Sequence, residues 1–431
     1  MRFVIVSASI PIPPSDGCSV MPLKLSPLHL IIAVCIAHVL SMSSMFAFVA
    51  LIDVFEAAWG ISQTESGLIS GVFFVGYIGG GLLLVTRTDS IDPKRIYLFS
   101  TGIAALSAVG FGLIASGLVS ALILHAVLGF ALAGSYMPGL KCLTDKLEGA
   151  RQSRAVAIYT SSFGVGTAIS YFLAGRLNTV LGWEMTFILL SAGSVLAFLI
   201  VLIVVPPIDR ERTPVRTSHS FDFMPVLRAR RCMAYIICYL GHNWELFGFR
   251  SRMVVFTAFA FVTGSATGGE VPVRATDIAG IISLVALPAS VIGNEIAIRI
   301  GRRRWLLIVM TSSAIAACFF GFSANLSPLM VVAALVIYAA FIAGDSSAIT
   351  SGMVANAPPG YAGAAMALHT SLGFVGSAIG PIAFGLALDL SGNGATVMSW
   401  VIGFAAMGLG VIIGPVALLI IGERKGDPVE K

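Results

Sequence analysis

Ionisable side chains inside apolar segments are the first candidates for chemistry in this sequence. The segment YLGHNWELFGFRSR, residues 239–252, places His242, Glu245 and Arg252 within about 80° of one helical face, whereas Arg250 points elsewhere. A charge at the centre of a membrane helix costs about 2.5–3.5 kcal/mol, so it must pair or face water. The spacing therefore predicts either ion pairs that cancel this cost, or a site with divided roles. In such a site Glu245 is the carboxylate that exchanges protons, and His242 is its hydrogen-bonding neighbour. The two arginines attract an anionic solute.

A second set of polar side chains lies in other apolar segments. Asp345, within IAGDSSAIT, makes a two-carboxylate proton relay conceivable, and the alternative is a packing acid bonded to nearby hydroxyls. A lone histidine in a helix is more often a satisfied packing residue than a ligand, yet an imidazole can change charge near neutral pH. The remaining substrate-binding candidates are His38, His125, Tyr159 and His369.

The elements that must position these residues are membrane helices. The chain is 57% hydrophobic and 11% charged, whereas soluble proteins carry about 25% charged residues. Continuous apolar runs of this length predict helices rather than an alternating barrel. We therefore expect an all-α membrane protein with twelve transmembrane helices, at about 28–54, 64–86, 96–116, 118–140, 155–175, 186–205, 232–262, 276–298, 305–323, 328–350, 362–388 and 396–421.

The basic residues predict the orientation of these helices. With both termini in the cytoplasm, all but four of the 26 lysines and arginines fall on the cytoplasmic side, as the positive-inside rule requires. We expect a bacterial inner-membrane protein in contact with the lipid bilayer, and no nucleic-acid partner, because no basic patch carries interleaved aromatics. The four exceptions are Arg176, Arg250, Arg252 and Arg274.

The sequence repeats itself at an offset of 210 residues. YTSSFGVGTAISYFLAG at 159–175 and HTSLGFVGSAIGPIAFG at 369–385, aligned without a gap, agree at Thr, Ser, Val, Gly, Ala, Ile and the final Gly. Two parallel six-helix halves follow, and transporters built from repeats bind substrate between them near the midplane. The predicted parts are an N-terminal tail (1–27), a first half (28–205), a cytoplasmic linker (206–231), a second half (232–422) and a C-terminal tail (423–431).

Three short motifs resemble the major facilitator superfamily. DSIDPKR at 89–95 and GNEIAIRIGRRR at 293–304 are similar to the family's paired gating loops, although Ser90, Asp92 and Ile298 depart from the pattern. GWEMTF at 182–187 resembles the start of the family's sixth helix, and the resemblance covers about 28–422. The gating-loop residues that it implies are Asp89, Lys94, Arg95, Arg299, Arg302 and Arg303.

The resemblance implies a secondary transporter in which helices 1, 4, 7 and 10 line a central cavity. We expect it to move a small solute by alternating access, with an organic anion as the favoured class of solute and protons as the coupling ion. We expect a monomer and no enzyme activity, metal or other cofactor. One alternative is a drug or metabolite exporter working by proton antiport, although GTAISYFLAG lacks the antiporters' Gly-Pro pair. The other is a non-transporting membrane sensor or cofactor-binding protein.

Overall fold

The structure is a computed structural model that describes residues 26–207, 222–264 and 273–421, so most of both predicted tails and much of the linker lie outside it. The regular structure of the described residues is helical. A π turn lies at Gly81–Val85, and 3₁₀ turns lie at Thr86–Asp89 and Gly321–Asn325. The helices are α1 (Pro27–Ser41), α2 (Ala47–Ala50), α3 (Ile52–Trp59), α4 (Gln63–Gly80), α5 (Pro93–Ile114), α6 (Leu118–Thr144), α7 (Gly149–Val204), α8 (Met224–Arg228), α9 (Arg230–Gly264), α10 (Ala275–Ile300), α11 (Arg302–Phe320), α12 (Pro328–Ala343), α13 (Ser346–Ala355), α14 (Ala362–Leu390), α15 (Val397–Val411) and α16 (Ile413–Ile420).

Ten helical segments in the described part of the chain are long and apolar enough to cross a membrane, which confirms the predicted all-α membrane fold. The longest, Arg154–Val204, is interrupted at Gly182, whose φ of 78° is a conformation that glycine adopts without strain. The apolar helix α1 is shorter, with 15 residues, and continues through a turn into α2 and α3. The predicted count of twelve spans stays a prediction.

Local sequence signals explain where the site-bearing helices begin. At α4 the Ser62 hydroxyl accepts from the Glu65 amide at 3.1 Å, while the Glu65 carboxylate accepts from the Ser62 amide at 2.8 Å. At α5 Pro93 occupies the first turn and the Asp92 carboxylate accepts from the Lys94 amide at 3.0 Å. These caps hold the two helices that flank the first half's gating loop.

Equivalent helices pack in equivalent ways in the two halves. In the first half, the Ser170 hydroxyl of α7 donates to the Ser43 carbonyl at 2.8 Å, in the turn that follows α1. In the second half, a Cβ added at Gly376 of α14 would lie 2.2 Å from the Leu240 carbonyl oxygen of α9. These are the repeated small residues of 159–175 and 369–385, and they bring the backbones of neighbouring helices into contact.

The two halves meet along the seams α4–α14 and α7–α10. A Cβ added at Gly71 of α4 would lie 2.2 Å from the Ala378 carbonyl oxygen of α14, and one at Gly67 would lie 2.4 Å from that of Pro381. Backbone contact of this kind leaves no room for water or solute between α4 and α14.

The helix ends define two faces of the molecule. We call the face formed by residues 86–92, 145–148 and 356–361 the linker face, because α7 ends there and α8 follows. We call the opposite face, formed by residues 60–62, 115–117 and 391–396, the distal face. The glycine contacts of α4 with α14 begin at the distal end of α4, so the halves are closed together on that side.

Candidate functional site

A cavity of about 650 Å³ lies between the two halves. Its wall near the linker face includes the exposed residues Thr160 and Ser161, whereas Arg250 at its inner end is only 9% exposed. The cavity therefore opens towards the linker face and ends where the halves close. Helices α4, α6 and α7 line it from the first half, and α9, α10, α12, α13 and α14 from the second.

Arg250 is the one arginine or lysine among the described residues that line this cavity. Its guanidinium carbon lies 5.6 Å from the ring centre of Phe46 and 5.4 Å from that of Phe247. The Tyr171 hydroxyl donates to its main-chain oxygen at 3.1 Å, which fixes the backbone across the seam. In the described structure no carboxylate pairs with this guanidinium. A buried arginine without a counter-ion is costly, so the site is suited to an anion supplied from the cavity.

His242 and Asp345 form a close pair at the cavity wall. The imidazole Nδ1 lies 2.6 Å from a carboxylate oxygen of Asp345, and both side chains are buried. His242 comes from α9 and lines the cavity, while Asp345 lies at the break between α12 and α13. Tyr239 stacks on His242 with ring centres 5.8 Å apart, and His369 stacks on Tyr239 at 3.9 Å. The pair can hold or release a proton at the edge of the cavity.

Glu245 lies inside the second half. Its carboxylate accepts from the hydroxyls of Ser313 on α11 and Tyr338 on α12, each at 2.8 Å. The expected hydrogen-bonding neighbour was His242, but the structure pairs His242 with Asp345 instead. The spacing of His242 and Glu245 puts them near each other on one face of α9. Spacing within one helix does not show which neighbouring helices each side chain meets.

Arg252 occupies a different place from the one that its predicted role requires. Its fully buried guanidinium donates at 2.8 Å to Glu56, at 2.6 Å to the side chain of Gln63, and at 2.8 Å to the Ser66 hydroxyl. It also donates to the Gln63 main-chain oxygen. These partners belong to α3 and α4 of the first half, so Arg252 ties the halves together on the distal side. The expectation that it attracts an anionic solute from the cavity is corrected accordingly.

Further polar contacts join the halves near the distal face. Asp389, near the end of α14, accepts from the amides of Gln63 and Thr64 at 3.0 and 2.8 Å and so caps the first turn of α4. Across the α7–α10 seam, one ion pair of 3.1 Å and one hydrogen bond of 3.0 Å join arginines to partners on the other half. We call these contacts together the distal latch, formed by Arg252 with Glu56, Gln63 and Ser66, Asp389 with Gln63 and Thr64, Arg176 with Asp277, and Arg274 with Thr179.

The remaining histidine and tyrosine candidates are packed within the first half. The Nδ1 of His38 lies 2.7 Å from the Ser162 hydroxyl, and its ring stacks on Tyr159 at 4.5 Å. The Tyr159 hydroxyl donates to the Tyr136 main-chain oxygen at 2.8 Å. The Nδ1 of His125 lies 2.7 Å from a main-chain oxygen of α4, beside a void of about 20 Å³ that Arg250 also borders. None of His38, His125 and Tyr159 is among the described residues lining the large cavity.

The predicted gating-loop residues lie at the linker face. Lys94 donates to the Leu202 main-chain oxygen at 2.8 Å, and Arg299 pairs with Glu295 of its own helix at 3.0 Å. Both contacts stay within one half, which agrees with a cavity open on this side. Arg95 is exposed, Arg302 and Arg303 are half-buried at the start of α11, and the backbone of Asp89 ends a 3₁₀ turn.

Several residues of the site were not predicted. Tyr77, Tyr239 and Asn243 line the cavity, and Glu56 and Asp389 belong to the distal latch. The latch had a signal in the sequence, because three of the four arginines that depart from the positive-inside pattern make latch contacts through their side chains. The cavity tyrosines had none, since an amphipathic ring in an apolar segment is equally suited to packing.

Two helical halves around a central cavity, open on one face and closed on the other, are the architecture of secondary transporters. The family model for the Major Facilitator Superfamily matches residues 34–276. The match covers more than half of the chain, which therefore belongs to this superfamily of membrane transporters.

Two relatives are each 24% identical to the chain. They are the sialic acid transporter NanX of Escherichia coli, over 208 residues, and the uncharacterized MFS-type transporter YtbD of Bacillus subtilis, over 267 residues. The matches cover 46% and 59% of this chain, and the chain spans 50% and 59% of the length of these relatives.

Solved transporter structures share the fold across nearly the whole chain. A bacterial homologue of the human lysosomal transporter Spinster, inward-facing and unoccupied, superposes with a TM-score of 0.74 at 16% identity, covering 91% of this chain and 96% of that one. The nucleoside transporter NupG gives 0.73 at 13% identity, covering 91% and 100%. At these identities the likeness shows the fold alone.

Proposed function

We propose that the protein is a proton-coupled secondary transporter of a small organic anion, working as a monomer by alternating access in a bacterial inner membrane. The observation that carries the proposal is the guanidinium of Arg250, buried at the inner end of the cavity between two phenylalanine rings and without a carboxylate partner in the described structure. An anionic group of the solute would supply the missing partner when it reaches this position. That the relative NanX is named for an acid is consistent with this choice.

The proposed proton-exchange site is the pair of His242 and Asp345. His242 lines the cavity and its Nδ1 lies 2.6 Å from the Asp345 carboxylate, so a proton entering the cavity can reach the pair through the imidazole. Glu245 is a weaker candidate for this role, because Ser313 and Tyr338 already donate to its carboxylate inside the second half. The charge of the pair would change with each transport cycle. His242 lies on the same helix as Arg250, so this change would take place near the bound solute.

The anion role of Arg250 is tested by uptake into proteoliposomes containing the purified protein. We expect Arg250→Gln to weaken the binding of transported organic anions at least thirtyfold, as truncating one member of a buried charge pair does. Arg228→Gln, at an exposed arginine of α8, is the matched control and should behave as wild type. Full anion uptake by a folded Arg250→Gln variant would refute the proposed site.

Proton coupling is tested by separating net transport from exchange. We expect Asp345→Asn to abolish uptake driven by a pH gradient and solute-dependent acidification of the lumen, while leaving solute counterflow in place. Glu295→Gln, which removes an exposed carboxylate at the linker face, should keep all three activities. Gradient-driven uptake at the wild-type rate in Asp345→Asn would remove this residue from the coupling mechanism.

A further inference from the structure

An aromatic wall runs along the cavity away from Arg250. The guanidinium lies 5.4 Å from the centre of the Phe247 ring, and Phe247 in turn packs on Phe74 at 4.3 Å. Phe74 stacks on Phe374 at 5.8 Å with an interplanar angle of 22°, and Phe374 packs on Tyr77 at 4.7 Å. Phe247, Phe374 and Tyr77 all line the cavity, so one continuous set of rings connects the cation to the opposite half.

The far end of this wall carries hydroxyl groups from the first half. Tyr77 on α4 and Tyr136 on α6 both line the cavity. Within the described residues neither hydroxyl has a hydrogen-bond partner. Tyr136 does contact Tyr159, but it accepts that hydrogen bond through its main-chain oxygen and not through its hydroxyl. Both side chains are half-buried at the cavity wall, so their hydroxyls are available to a polar group on the solute.

We propose that the transported anion is an aromatic monocarboxylate with a hydrogen-bonding substituent on its ring. The carboxylate binds Arg250 of the second half, the ring lies against Phe247 and Phe374, and the substituent bonds to Tyr77 or Tyr136 of the first half. This inference rests on the proposed function, because it names the class of anion that the Arg250 site takes. Such a solute would contact both halves at once, and these are the two bodies that move relative to each other in alternating access.

The charge of the cavity limits the solute to one negative group. Arg250 is the single fixed cation among the described lining residues, and His242 is already paired with Asp345. The second carboxylate of a dicarboxylate would have no cationic partner among the described lining residues. A sugar acid could bond to wall hydroxyls such as Ser283 and Ser347, but the hydroxyls that it placed against Phe247 and Phe374 would lack partners, so we expect it to bind more weakly than an aromatic acid.

The first test compares ligands on the purified wild-type protein in lipid nanodiscs, by thermal shift and calorimetry. The probes are 4-hydroxybenzoate, benzoate, its saturated analogue cyclohexanecarboxylate, the neutral 4-hydroxybenzamide, glucuronate and succinate. We expect 4-hydroxybenzoate to bind most tightly and benzoate roughly two- to tenfold better than cyclohexanecarboxylate, the range that an aromatic pair contributes. The neutral amide should bind at least thirtyfold more weakly than 4-hydroxybenzoate.

The second test assigns the ring and the hydroxyl to their contacts. Phe374→Leu should remove the preference for benzoate over cyclohexanecarboxylate, whereas Phe319→Leu, at an exposed ring of α11, should keep it. Tyr77→Phe together with Tyr136→Phe should remove the advantage of 4-hydroxybenzoate over benzoate without weakening benzoate. Tyr97→Phe, a buried tyrosine outside the cavity, is the control.

The outcomes separate this inference from the proposed function. Tighter binding of glucuronate or succinate than of any aromatic acid, lost in Arg250→Gln, would overturn the aromatic class and leave the anion transporter standing. The aromatic class would also be overturned if 4-hydroxybenzoate, benzoate and cyclohexanecarboxylate all failed to bind at millimolar concentration. If anion uptake itself were unchanged in Arg250→Gln, the proposed function would fall, whatever the ligand ranking.

Discussion

Replacing Arg252 by glutamine should shift the protein from the state closed at the distal face to the state open there. In the closed state the guanidinium is fully buried and donates to Glu56, Gln63 and Ser66 of the other half. When the halves separate on that side, both the arginine and its partners meet water. The contacts therefore stabilise one of the two states, which is the condition for a change in their populations.

The magnitude follows from the burial of the ion pair. Breaking a buried pair by removing one partner costs about 3–5 kcal/mol, because the other charge is left uncompensated. The carboxylate of Glu56 is 13% exposed, so the lower end of this range applies. A loss of about 3 kcal/mol changes the ratio of the two states by roughly a hundredfold, which turns a population of about 99:1 into a nearly even mixture.

Distances between two spin labels across the distal face, measured by double electron–electron resonance, report this change directly. Spin labels attached through Ser116→Cys in the first half and Ala395→Cys in the second lie at exposed positions of that face. The exposed native Cys318 and the N-terminal Cys18 would be replaced by serine. We expect one short distance in the otherwise unchanged protein, and a second, longer distance of comparable weight in Arg252→Gln.

Two comparisons make the result decisive. Arg299→Gln, which removes an arginine of the linker face, should leave the short distance in place, because Arg299 pairs within its own helix. Glu56→Gln combined with Arg252→Gln should restore part of the closed population, since no uncompensated charge remains. A distance distribution in Arg252→Gln that matches the parent protein would show that the latch contacts do not set the equilibrium.

The remaining predictions concern the seam and the buried carboxylate of the second half. Gly71→Ala should hinder closure of the distal face and slow transport at least tenfold, because its Cβ would lie 2.2 Å from a main-chain oxygen of α14. Gly102→Ala is the control for uptake and melting temperature, because a Cβ added there would meet nothing within 4 Å. Glu245→Gln should keep gradient-driven uptake while lowering the melting temperature, since the amide retains the acceptor for Ser313 and Tyr338 but adds an unpaired donor. Loss of coupling in that variant, with a normal melting temperature, would return the proton-exchange role to Glu245.

The fold could be read from composition and repetition. A chain with 57% hydrophobic residues needs lipid, and a helix satisfies its backbone within one segment. The repeat of 159–175 at 369–385 predicted two similar halves, and in both segments small residues pack against a neighbouring helix or turn, Ser170 against Ser43 and Gly376 against Leu240. What the pattern could not show is which helices meet, because periodicity describes one helix at a time.

The site was predicted less completely, for the same reason. The segment 239–252 drew attention to α9, but its four ionisable side chains meet three different environments. His242 and Arg250 face the cavity, Glu245 faces α11 and α12, and Arg252 crosses to the first half. A helical wheel gives the angle between side chains, whereas partners depend on what each neighbouring helix presents at that depth.

Arg250 and Arg252 connect the solute site to the distal latch through one helix. They are two residues apart on α9, so their side chains leave the helix about 200° apart, one towards the cavity and one towards α3 and α4. An anion that drew Arg250 towards itself would act on the same turn of helix that carries Arg252 of the latch. Because a charged side chain within a membrane helix is costly, each arginine requires a compensating contact. Arg252 has that contact in the closed state, and in the proposed mechanism Arg250 would gain it from the bound solute, so loading the site and opening the latch would act on the same segment of backbone.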